Sequence, residues 1–89
     1  MITRAIDWEQ RISARGYRLY YKQYRSPKDY KCVTLWGARN NGMLLKDLPL
    51  KKGVTYKFKV VAFAKEWELD VLNEELIQYQ GGINENNRN

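Results

Sequence analysis

The chain has 89 residues, 44 % hydrophobic and 13 % aromatic, with no histidine, one cysteine and a formal charge of +6. That length makes one small domain burying about 60–65 % of its unfolded surface. The lack of histidine removes the commonest general base and metal ligand, and a lone Cys32 excludes an internal disulfide.

In chain order, Arg4–Glu9 places Ile6 and Trp8 on one side and reads as a short strand. Gln10–Arg15 is polar around Ile12 and reads as a loop. Gly16–Lys22 alternates, with Tyr17, Leu19 and Tyr21 on one face and Arg18, Tyr20 and Lys22 on the other. Ser26-Pro27-Lys28-Asp29 reads as a turn with its proline at the favoured position. Tyr30–Trp36 is β-branched and aromatic, a third strand in which Cys32 is an ordinary core or half-buried residue. Gly37–Gly42 is a loop with Asn41-Gly42 as a favoured turn pair. Met43–Leu48 follows as a fourth strand.

Val54–Phe63 is the longest alternating run: Tyr56, Phe58, Val60 and Ala62 point one way, Thr55, Lys57, Lys59 and Val61 the other. Lys65–Asn73 fits either a helical turn or an extended hairpin arm. Glu75–Gln80 reads as a last short strand. A single domain is therefore expected over residues 1–80, and the polar stretch 81–89 has nothing to pack and is expected to be disordered. Five or six short strands separated by turn signals predict an all-β sandwich.

Two groups of residues carry a family resemblance. Trp8, Ile12, Gly16-Tyr17, Leu19 and Tyr21 form the first, and Leu50, Gly53, Tyr56, Phe58, Val60 and Ala62 the second. In this order the chain resembles a fibronectin type III domain, an immunoglobulin-like sandwich, across Ile6 to Gln80. The resemblance implies that Tyr56 is the tyrosine of a corner motif, its hydroxyl bonded to backbone near the preceding turn. It departs from the family in having about six residues ahead of Trp8, too few for a complete first strand. On that reading the Trp-bearing strand is a sheet edge, which another chain pairs or Arg4 guards. The family's Arg-Gly-Asp is absent, so cell adhesion does not carry over.

Charge is unevenly placed. Between Gln10 and Lys65 only Asp29 and Asp47 oppose the basic residues, and then Glu66, Glu68, Asp70, Glu74 and Glu75 follow without a base. In the family pairing Arg18, Tyr20, Lys22, Lys57 and Lys59 share one outer sheet face, read either as a solvated surface or as a docking surface for an acidic partner. Trp67, Leu69 and Leu72 among acidic neighbours mark a protein contact, because such residues are normally buried somewhere. The acids themselves pair internally with Arg11 and Arg15, or reach the basic body of another copy.

No phosphate loop, metal spacing or carboxylate pair is present, and Cys32 has no histidine to activate it. The expectation is a non-enzymatic protein-binding or assembly module without cofactors. The Lys-, Asn-, Tyr- and Ile-rich composition suggests an AT-rich genome, and a signal-less domain of this class fits, by analogy, a bacteriophage structural or accessory protein (virion decoration, connector or tail). The other reading is a small basic inhibitor or nucleic-acid-associated protein using the sheet face. Partners are then another protein, copies of this chain or virion components; nucleic acid ranks below these, and no membrane is expected. Met1–Asp7 lacks the apolar core of a signal peptide, which implies an intracellular or virion location.

Overall fold

The computed structural model describes residues 4–81; the expectation for the polar tail lies, Gly81 aside, outside them. Among the described residues six strands occur in the order β1 (Ala5–Asp7), β2 (Gly16–Gln23), β3 (Lys31–Trp36), β4 (Gly42–Leu44), β5 (Thr55–Ala64) and β6 (Trp67–Gln78). They form two antiparallel sheets, β1-β4 and β3-β2-β5-β6, so the fold is an all-β sandwich.

Period-two patterning builds the core. Tyr17, Leu19 and Tyr21 of β2 and Tyr56, Phe58, Val60 and Ala62 of β5 all turn inward and are buried. The small sheet supplies Ile6, with Trp8 just beyond it. Leu45 and Leu48 complete that side from a single 3₁₀ turn, Leu45–Asp47, where the sequence predicts a continuing strand. The difference follows from burial. The 3₁₀ turn swings both leucines inward, whereas strand alternation would send Leu45 and Leu48 to opposite faces.

Tyrosine hydroxyls tie the loops to this core. The Tyr17 hydroxyl accepts from the Arg11 N–H at 2.7 Å and donates to the Ala38 carbonyl at 2.6 Å. Trp8, its ring centroid 5.6 Å from that of Tyr17, donates through Nε1 to the Asn40 carbonyl. The Lys51 N–H donates to the Tyr56 hydroxyl at 2.8 Å, which pins the turn before β5. Gly53 stands in that turn at φ +86°, a conformation that glycine adopts without a Cβ penalty.

Turn chemistry departs from the sequence reading at two places. The β2–β3 turn closes through the Ser26 N–H to the Gln23 carbonyl and places Arg25 at φ 67°, so it centres on Tyr24-Arg25 and not on Ser26–Asp29. Gly42 lies inside β4, and the left-handed residue of the preceding loop is Gly37 at φ +108°.

The segment left open between helix and strand is extended. Trp67–Gln78 is one continuous strand, so the separate strand expected at Glu75–Gln80 is its second half. Two register shifts interrupt its pairing with β5, between Val60 and Val61 and between Val61 and Phe63. Each leaves an extra residue on β6, twisting and blunting this sheet edge.

Candidate functional site

The outer face of the four-stranded sheet gathers the basic and aromatic side chains. Register places Tyr20 opposite Lys59, Lys22 opposite Lys57 and Arg18 opposite Val61. All five residues expected to share this face do so. Cys32 and Thr34 join them, opposite Tyr20 and Arg18. Cys32 is exposed, which corrects the expectation of a core or half-buried residue: its parity puts it on the outer side, on an edge strand. Desolvation against the sheet still pushes its thiol pKa up, with Arg18 pulling in the opposite direction.

These residues interlock. Lys59 Nζ stands 5.3 Å from the Tyr20 ring centroid and 5.7 Å from that of Tyr30, while Lys22 Nζ is 5.4 Å from Tyr30. The two rings meet edge to face at 6.1 Å. The Tyr20 hydroxyl donates to the Glu68 carboxylate, which also accepts from Arg18 at 3.2 Å. That hydrogen bond is the main cause of the rise of the Tyr20 pKa to about 12 and of the depressed Glu68 pKa. Arg18 also lies 4.4 Å above the Phe63 ring.

A second, smaller apolar cluster sits here. Val61 and Phe63 are buried, yet they belong to the outer side of β5 and not to the main core. Gly16 is the register partner of both Trp36 and Phe63. With no side chain between them, Trp36 meets Phe63 edge-on at 5.2 Å while staying 69 % exposed.

The start of β6 is uncovered on both sides, with Trp67 opposite Ala64 and Glu68 opposite Phe63. Every residue from Trp67 to Val71 is exposed, irrespective of face, and Trp67 and Leu69 are 65 % and 41 % exposed. Leu72 does not join them. It stands at the first register shift, half-buried against the core, so the bulge turns it away from the surface. Trp36, Val71 and Leu76 are exposed apolar residues that the sequence reading did not single out. Strand parity was the available signal for Trp36, two residues beyond Thr34, whereas Val71 depends on the unforeseen bulges.

Much of the acidic run is paired within the chain. Glu68 meets Arg18, Asp70 meets Arg11 at 3.7 Å, and Glu75 meets Arg4 at 3.8 Å. β6 also caps the free edge of β1: Asn73 Nδ2 donates to the Asp7 carbonyl at 2.8 Å. One acceptor that an added strand would use is thereby occupied.

Among the described residues no cluster of three or more His, Cys, Asp or Glu is placed to hold a metal, and no helix is long and apolar enough to cross a membrane. No protein-family model matches the chain, and no curated protein matches its sequence.

Proposed function

We propose that this chain is a non-enzymatic protein-docking module of the fibronectin type III-like kind. Support for that family type comes from the Tyr56 hydroxyl bond to the Lys51 N–H and from the β3-β2-β5-β6 sheet facing β1-β4. The observation that carries docking is the exposed run Trp67–Val71 on an edge strand. A strand half-buried on one face hides every second residue, and this one hides none over five. Apolar surface that the fold leaves uncovered is characteristic of a contact with another protein. Placing the module in a bacteriophage particle, as a structural or accessory protein, is analogy from the fold class.

The test uses the purified chain to capture partners, each then identified and its affinity remeasured with both components pure. The variant Trp67→Ser/Leu69→Ser/Val71→Thr changes only exposed side chains and should bind at least roughly tenfold more weakly, the loss typical of interface anchors. A partner that binds this folded variant as tightly as the parent overturns the assignment of the site. Salt-sensitive binding to random DNA, with no protein partner found, would favour a nucleic-acid role instead.

A further inference from the structure

We propose that the cleft at the opposite end of the sandwich binds the phosphodiester backbone of single-stranded nucleic acid, a function separate from docking at the β6 edge. The cleft, about 310 Å³ in volume, lies between the β2–β3 turn and the segment before β5. Lys22, Lys28, Lys31 and Lys51 line it, with Asp29 as the only carboxylate and Tyr21 and Tyr56 among its walls. Four lysines against one acid in a single cleft amount to half of the chain's formal charge of +6.

Asp29 offsets one of these charges, and Lys22 Nζ also stands 5.4 Å from the Tyr30 ring. Among the described residues none of the four stands within ion-pairing distance of a carboxylate, whereas at the hairpin end Arg11 and Arg18 each have one. Lys57 adds a further cation directly across from Lys22, and like charges facing each other across a sheet destabilise it. Of the β6 acids nearest this end, Glu75 meets Arg4 and Glu74 lies opposite Lys59, and neither forms an ion pair with the cleft lysines. Glu68 lies opposite Phe63, near the end of β5, and Tyr56 of the cleft lies near its start, roughly 25 Å away at strand rise.

Phosphate fits this end better than a carboxylate-bearing protein does. Lysine is a compact point charge that pairs with either oxyanion, so the choice of phosphate is made by the repeated charge of the polyanion and by the exposed ring beside the cleft. Clustered cations also gain from counterion release along a polyanion. Tyr24, 45 % exposed with the Arg25 guanidinium 5.3 Å from its ring, follows the lining residue Gln23 and offers a surface on which a base stacks.

The probe is a fluorescein-labelled oligothymidylate, followed by anisotropy against the full chain at several salt concentrations. Four phosphate contacts predict roughly fiftyfold weaker binding between about 50 and 200 mM salt. Lys28→Gln/Lys31→Gln/Lys51→Gln should bind at least roughly tenfold more weakly and lower the salt slope by about 2. All three lysines are exposed, so the fold should persist, as circular dichroism would verify. The control Arg4→Gln/Lys46→Gln/Lys65→Gln removes the same charge elsewhere and should leave most of the affinity. An equal loss in both variants overturns the cleft assignment, leaving only net charge. Absence of binding at low salt, or equal affinity for poly-glutamate, overturns the nucleic-acid assignment. Neither result bears on the docking reading, whose test uses other residues.

Discussion

Trp36 crosses over Gly16 to meet Phe63 edge-on, with ring centroids 5.2 Å apart. The glycine does more than leave room above the sheet. A Cβ placed on Gly16 would stand 2.3 Å from the Leu35 carbonyl oxygen, a backbone atom that cannot swing aside. Gly16→Ala should therefore force β2 and β3 apart at about 1–3 kcal/mol, the usual cost of overpacking. Gly53→Ala meets no atom within 4 Å but must hold φ +86°, at about 1–2 kcal/mol. Asparagine, which tolerates that conformation, should recover part of the loss at 53 and none at 16. Urea unfolding of the four variants would check this, and equal rescue at both positions would contradict it.

Tyr56→Phe removes the acceptor of the Lys51 N–H. The expected loss is about 1 kcal/mol, or more if the N–H stays buried without a partner. For a domain of this size that lowers Tm by about 4–8 °C. Affinity for a protein partner docked at the β6 edge should be unchanged in the folded variant. A proportionate loss of binding would move Tyr56 from the scaffold into the interface.

The Tyr20–Glu68 hydrogen bond makes stability depend on pH at both extremes. Its phenol pKa is raised to about 12, so its contribution is complete below the unfolded value near 10 and disappears as pH climbs towards 12. The Glu68 carboxyl is depressed. Its contribution is present above the unfolded carboxylate range and disappears as pH falls through the folded value. Glu68→Gln should flatten both limbs and return one phenol to the ordinary range. Ultraviolet titration of the tyrosines, paired with melting across pH, reads both effects; an unchanged alkaline titration would contradict the assignment.

Cys32 is exposed, yet desolvation raises its thiol pKa, so little thiolate exists at neutral pH. Its reaction with an aromatic disulfide reagent at pH 7.5 should be slower than that of free cysteine. Arg18 pulls the pKa down, so Arg18→Met should slow it further. A faster reaction than that of free cysteine would show an activated thiol and reopen a chemical role.

Strand parity made most of the sandwich legible. The alternation in Gly16–Lys22 and Val54–Phe63 predicts which of Tyr17, Leu19, Phe58 and Val60 are buried, and it puts Arg18, Tyr20, Lys22, Lys57 and Lys59 on one outer face. Where the period is broken, the reading stops. The bulges in β6 reverse the parity that would have classified Leu72 and Val71, and bulges depend on pairing with β5, which no local pattern encodes. The 3₁₀ turn at Leu45–Asp47 was hidden for a similar reason: only the core behind it makes two leucines turn inward.

The sequence alone thus determined the all-β class, the inward set of side chains and the excess of positive charge. Those properties follow from the two-residue period of the extended chain and from composition. Tertiary structure decided where the charge is cancelled and where it is left. Pairing of β5 with β6 brings Glu68 to Arg18, and the turns before β3 and β5 gather Lys28, Lys31 and Lys51 around one cleft. Residues distant in the chain become neighbours only through sheet register, because Coulomb energy depends on separation in space.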